Sequence, residues 1–166
     1  MNPIVSFYQG TSPDRHGRTI ESIWSYSDDQ LEAIHNYIQF FFPLRDPGVA
    51  PAPLLDDETI RAFHDSPELR DRLLVSFDRM LRFYGLRREG DRVVPADDFS
   101  AQAANWLTPH NHNFLRITRI LLCLKTLGLG PWSRAFFDCL RGIYGHSRGV
   151  IGPVTYRYWE NAASGR

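Results

Sequence analysis

His110-Asn111-His112-Asn113-Phe114-Leu115-Arg116-Ile117-Thr118-Arg119-Ile120-Leu121-Leu122-Cys123-Leu124-Lys125-Thr126-Leu127 is the stretch that decides the fold. Apolar side chains at 114, 115, 117, 120, 121, 122, 124 and 127 nearly encircle a helix, the pattern of a central, mostly buried one. One polar stripe survives. His112, Arg116, Arg119 and Cys123 fall at i, i+4, i+7 and i+11 and share a face. A lone buried charge is costly, so the stripe has to reach solvent, a partner carboxylate or a ligand.

Downstream of this helix, Gly128 and Gly130-Pro131 stop it, and another is predicted from Trp132 to Tyr144 that buries Phe136, Phe137, Leu140 and Tyr144. Gly145 to Gly152 reads as a loop, and Pro153 to Trp159 as a last helix or cap. Upstream, a small Ala-rich helix is predicted from about Asp98 to Trp106, after a polar, mobile loop over residues 86 to 96. Ser66-Pro67 opens a helix with Leu69, Leu73, Phe77, Leu81 and Tyr84 inward, and Gly85 closes it. Asp56-Asp57-Glu58 starts a brief helix through His64.

Ser27-Asp28-Asp29-Gln30 matches a capping box and predicts one helix over 28–42, with Leu31, Ile34, Ile38 and Phe41 inward. Pro43 ends it, and Pro43, Pro47, Gly48, Pro51 and Pro53 make a stiff connector. Residues 4 to 8 read as a short strand or an extended segment, Gly10 to Gly17 as a turn-rich loop, and Thr19 to Tyr26 as a short helix. No internal repeat or low-complexity tract interrupts the chain. The expectation is all-α: a compact single domain over 1–166, a bundle of about six or seven helices around the central helix at about 110–127.

Composition fits that expectation. At 166 residues, with 43% hydrophobic and 23% charged residues, the chain is a globular domain large enough for a proper core. Net charge is zero but uneven: residues 1 to 60 hold 3 Arg against 9 Asp/Glu, and residues 61 to 166 hold 16 Arg/Lys against 10. The basic end can attract an anionic partner or dock on the acidic start. The N-terminus lacks a basic and an apolar signal region, and no apolar run approaches the roughly 20 residues of a membrane span. Cys123 and Cys139 read as reduced core thiols, so the expected setting is soluble and cytoplasmic.

Three segments carry a resemblance. They are Phe7-Tyr8 with Ile20-Glu21-Ser22-Ile23-Trp24, then His35-Asn36-Tyr37-Ile38-Gln39-Phe40-Phe41-Phe42-Pro43-Leu44-Arg45-Asp46-Pro47-Gly48, and then His112-Asn113-Phe114-Leu115-Arg116-Ile117-Thr118-Arg119-Ile120-Leu121. Met80-Leu81-Arg82-Phe83-Tyr84-Gly85 fits between them. Together, over roughly residues 4 to 145, the chain resembles the conserved N-terminal domain of the opioid growth factor receptor family. The resemblance implies a helical domain that in animal members serves as a receptor for the pentapeptide Met-enkephalin, associated with the nucleus and growth control. It implies no enzymatic activity. Phe40 stands where the family often has Trp, and the chain lacks the long repeat-bearing tail of animal members, which makes it look like a short microbial member.

Candidate chemistry follows from two stripes. Asp28, Glu32, His35 and Gln39 repeat on the predicted helix 28–42 the spacing of His112, Arg116 and Arg119. The two stripes either face one another, with bidentate Arg–carboxylate pairs fixing the register, or are solvated helix faces. As the walls of a cleft they would offer a peptide, a small anion or a protein partner a ligand set of His35, Gln39, Arg45, His112, Asn113, Arg116 and Arg119. A metal set of His35, His110 and His112 requires His110 to precede the helix in an extended turn, and no motif at ligand spacing supports it. No phosphate loop, dinucleotide pattern or nucleophile elbow is present, so no cofactor and no catalytic residue are expected. The expected function is therefore non-enzymatic binding. The alternative is a nucleic-acid-binding module, with Arg134, Arg141, Arg148 and Arg157 among Trp132, Tyr144, Tyr156 and Tyr158 for phosphate contacts and base stacking. One of Phe40, Phe41 and Phe42, or Trp106 or Trp132, is a candidate for a protein interface.

Overall fold

A computed structural model describes residues 2–46 and 52–164. Pro47, Gly48 and Pro51 of the predicted connector lie outside the described residues. The chain divides into two compact units, Met1–Arg79 and Met80–Arg166. Their formal charges are opposite: 7 Lys/Arg against 13 Asp/Glu in the first, and 12 against 6 in the second.

The first unit begins with a helix, α1 (Pro3–Gln9), where a strand or extended segment was expected. Asn2 caps it by accepting the Ile4 N–H, Pro3 occupies its first turn, and Gly10 ends it at φ +80°. Cap, proline and glycine outweigh the β-leaning Ile-Val-Ser-Phe-Tyr composition. Next comes α2 (Ile20–Trp24), capped by Thr19. The helix expected over 28–42 is broken. The Ser27–Gln30 capping box starts α3 (Asp28–Ala33), but Ile34 is extended and a second helix, α4 (Ile38–Phe41), begins anew. A tertiary contact explains the break. Arg18 donates to the Asn36 side chain (2.7 Å) and to the Asn36 carbonyl (3.1 Å), and Tyr37 Oη donates to the Leu31 carbonyl (2.9 Å). These contacts replace the helical ladder locally.

Leu44 pairs with Leu54 in an isolated bridge before α5 (Asp57–Asp65), which Asp56 caps. Then α6 (Pro67–Tyr84) runs from its Ser66 cap across the division between the units. The first unit's core is aromatic. Phe7 and Phe63 each meet Tyr8 edge to face, Phe41 meets Phe42 in the same way, and all five rings are fully buried. There the Ser76 hydroxyl accepts from the half-buried Trp24 Nε1 at 2.9 Å and lies 2.9 Å from the buried Tyr8 Oη, which also meets the Phe41 carbonyl. Phe40, Phe41 and Phe42 are all buried, at 7%, 0% and 0% exposure, which removes them as an interface.

In the second unit the loop expected over 86–96 is a hairpin of β1 (Leu86–Glu89) and β2 (Arg92–Pro95). Its two-residue turn, Gly90-Asp91, has Gly90 at φ +60°, the conformation that tight hairpins demand. Charged residues on the outer positions hid the strand pattern. After α7 (Phe99–Trp106) comes the central helix, α8 (Asn113–Thr126), flanked by α9 (Gly130–His146) and, after the single turn α10 (Arg148–Ile151), by α11 (Pro153–Ser164). The loop expected at 145–152 thus holds a turn of helix. Ile117, Ile120, Leu121 and Leu124 are all at 0% exposure, as the encircling pattern predicts. Trp106 and Trp159, also fully buried, donate to the carbonyls of Tyr84 (3.0 Å) and Phe114 (3.1 Å).

The described residues form eleven helices, several of one turn, and one two-stranded sheet. The mostly helical class holds. Gly85 matters to it: its φ is +80°, and an added Cβ would stand 2.9 Å from Phe99 Cα and from Gln102 Cβ. Gly85→Ala should lose about 2 kcal/mol or more, read by urea unfolding, because backbone strain and a backbone clash add.

Candidate functional site

The ligand set read from the sequence is divided between the units. His35, Gln39 and Arg45 belong to the first; His112, Asn113, Arg116 and Arg119 belong to the second. Because the helix breaks at Ile34, the stripe Asp28, Glu32, His35, Gln39 does not share one face. Asp28 is held within its own unit by Arg79, Oδ1 to Nη2, at 2.7 Å. His35 is exposed in the turn between α3 and α4, and Gln39 is half-buried on α4. Arg45 pairs with Asp57 at 2.5 Å on the surface, with both side chains more than half exposed, an arrangement that contributes little.

On α8 the second stripe turns inward. His112 is exposed at the helix start, whereas Arg116 is only 6% exposed and Asn113 fully buried. Asn111 Oδ1 receives the Asn113 N–H (2.9 Å) and its amide (3.0 Å), and Asn113 Oδ1 receives Arg116 Nη1 at 3.4 Å. Burial pushes the Arg119 pKa down, against an opposing contribution from Cys123. Burial likewise pushes the Cys123 thiol up, and pushes Cys139 up to about 11, opposed by the charge of Arg92. Both shifts favour the protonated thiol at neutral pH. Among the described residues, no three His, Cys, Asp or Glu side chains gather to hold a metal ion, so His35, His110 and His112 form no such cluster. His110 does sit outside the helix, at φ +57°.

Three of the four arginines proposed for nucleic acid come together with aromatic rings. Arg134 and Arg141 lie over Phe137 at 5.6 and 5.9 Å and share Asp138. Arg148 lies over Tyr144 at 5.5 Å, and Tyr144 stacks on Tyr156 at 4.3 Å. These ring faces are occupied by one another and by guanidiniums, so they are not laid out as a platform for bases. Arg157 stands apart on α11, exposed beside Tyr158.

A recess lies elsewhere, between β2 and α9. Two adjoining cavities of about 460 and 390 Å³ share Arg92, Val93, Asp138 and Cys139. One end is charged, with Asp91, Arg92, Arg134 and Asp138. The other is largely apolar, with Val94, Pro95, Phe99, Leu107 and Ile143, and closes on His146. Its α9 wall is built from small side chains, Ala135, Cys139 and Gly142, and that is what leaves room. Asp138 is shared by Arg134 and Arg141, but among the described residues no carboxylate pairs with Arg92. The sequence reading missed this groove because it rests on the hairpin. The available signals were Gly90-Asp91 and the small residues recurring along the helical face Ala135, Cys139, Gly142.

Residues 4–140 match the family model described as the opioid growth factor receptor (OGFr) conserved region. The chain is similar to the opioid growth factor receptor of Mus musculus, 45% identical over 135 residues, covering 74% of this chain and 21% of that protein. It is 41% identical over 151 residues to the opioid growth factor receptor of Homo sapiens, covering 82% of this chain and 22% of that protein. Opioid growth factor receptor-like protein 1 of Mus musculus is 35% identical over 135 residues, covering 75% of this chain and 28% of that protein. The chain therefore spans between about a fifth and three tenths of the length of these curated relatives. No solved structure matches it.

Proposed function

Because this chain belongs to the opioid growth factor receptor conserved-region family, we propose that it acts as a non-catalytic, receptor-type binding domain for a short peptide or small anion. The ligand sits in the groove between β2 and α9. The observation that carries this reading is the amphiphilic lining: an exposed guanidinium, Arg92, without a carboxylate of its own at one end, and an apolar recess of Phe99, Leu107 and Ile143 at the other. Such a site suits a ligand with an anionic group and an apolar side chain. No helix among the described residues is long and apolar enough to cross a membrane.

The test is selection from a display library of random linear dodecapeptides on the immobilised full chain, followed by calorimetry of the enriched peptides. Enriched peptides that bind one to one, with affinity falling about tenfold in Arg92→Ala, are expected. Thermal shifts with millimolar phosphate and citrate test the small anion. A library that enriches no better than on an unrelated protein, with neither anion shifting the melt, refutes the reading. A salt-sensitive gel shift with single-stranded DNA in that same outcome would transfer the function to nucleic acid.

A further inference from the structure

Four consecutive residues of one strand, Arg92, Val93, Val94 and Pro95, line a single cavity. Side chains along a strand alternate between its faces, so an unbroken run borders one groove only when the strand presents its edge. The hydrogen-bond parity of the hairpin agrees. The Ala96 N–H donates to the Gly85 carbonyl at 2.8 Å, and the register pairs Arg87 with Val94 and Arg88 with Val93. Hydrogen-bonded and open pairs alternate in an antiparallel ladder, so Arg87–Val94 and Glu89–Arg92 are bonded while Arg88–Val93 and Leu86–Pro95 are open. The N–H and C=O of Val93 therefore point away from β1, as does the C=O of Pro95.

Among the described residues nothing bonds the main chain of Val93, although the residue is only 5% exposed. Unpaired main-chain groups call for a partner, and Val93 lines both cavities of the groove. We propose that β2 receives an extended peptide as a third strand, laid along its outer edge in the groove that α9 borders. The peptide exchanges hydrogen bonds with Val93, places a carboxylate at Arg92 and an apolar side chain beside Phe99, Leu107 and Ile143. Strand addition of this kind draws affinity from main-chain bonds and specificity from the flanking pockets. Pro95, which has no N–H, limits the pairing at that end and guards the edge against indiscriminate growth.

The inference rests on the peptide reading above, and its test separates the two. The probes are the enriched dodecapeptides, added to the 15N-labelled full chain. Exchange of the Val93 amide hydrogen is expected to slow by about tenfold or more on saturation, since the amide gains a partner. Methylating the peptide nitrogen that pairs with Val93 should weaken binding about tenfold. Gly142→Leu provides a variant that folds: an added Cβ at Gly142 meets nothing within 4 Å, and leucine favours the helix. Its melting temperature should be unchanged or higher, while its leucine fills the groove and weakens peptide binding about tenfold. Enriched peptides that leave Val93 exchange unchanged, or that bind Gly142→Leu as well as the parent chain, overturn strand addition and leave the peptide reading standing. Failure to enrich any peptide overturns both.

Discussion

Trp159→Ala is expected to destabilise the protein by about 3–5 kcal/mol, the largest loss anticipated from any single change considered. Trp159 lies on α11 at 0% exposure. Its ring meets Phe114 edge to face at 5.7 Å, and its Nε1 donates to the Phe114 carbonyl at 3.1 Å. Alanine removes the apolar contact area and the hydrogen bond together, and leaves a cavity beside α8 that the backbone is too tightly packed to close. Trp159→Phe keeps an aromatic body and should cost about 1–2 kcal/mol. Leu115 supplies the contrast. At 73% exposure it sits on the same helix as Phe114, and Leu115→Ala should shift stability by less than about 0.5 kcal/mol. Urea unfolding of the three variants checks the ranking, and a Trp159→Ala loss no larger than that of Leu115→Ala would contradict the packing described.

Asp28→Asn should cost about 2 kcal/mol, whereas Arg79→Met should be neutral to within about 1 kcal/mol. The asymmetry comes from where each partner sits. The Arg79 side chain is 5% exposed and that of Asp28 38%. Arg79 Nη2 donates to Asp28 Oδ1 at 2.7 Å and to the Tyr26 carbonyl at 2.9 Å, while among the described residues its Nε and Nη1 are buried without a hydrogen-bond partner. Neutralising Asp28 strands a guanidinium whose hydration is already lost, and it also removes an acid from the first turn of α3. Partial exposure of the carboxylate screens the pair and keeps the loss below that of a fully buried one. Methionine at 79 removes the cation and its two unsatisfied nitrogens at once, and fills much of the same volume. Denaturant midpoints of the two variants decide the matter; a methionine variant more damaged than the asparagine variant would show that the ion pair itself stabilises.

What could be read from the chain beforehand was whatever depended on neighbours in sequence. Caps did: Ser27 with Gln30, Ser66 with Pro67, and Gly85 all mark helix ends as expected. So did most of the apolar pattern of α8, which buries Phe114, Ile117, Ile120, Leu121 and Leu124, although Leu115 is exposed and Arg116 of the polar stripe is buried in its stead. The failures have tertiary or main-chain causes. A break at Ile34 follows from Arg18 reaching Asn36 across 18 positions, a contact with no local signature. Asn2-Pro3 carried a helix start that was overlooked in favour of β-branched composition. For the site, reasoning from charged and aromatic side chains led to Arg116, which the fold buries, and to Tyr144 and Tyr156, which the fold stacks together. The groove instead depends on side chains that are small, such as Gly142, and on the edge of a strand, features that residue chemistry does not announce.

The tryptophans also give the two halves of the chain unequal voices in light emission. Trp106 and Trp159 are sealed from water in the second unit, and Trp132 lies there beneath Arg88 at 4.8 Å. The first unit has Trp24 alone, beneath Arg72 at 5.0 Å. Indole fluorescence therefore follows chiefly the environment around α8, while circular dichroism registers the helices of both halves. Superposed unfolding curves from these two signals mean that the halves lose structure in one cooperative step.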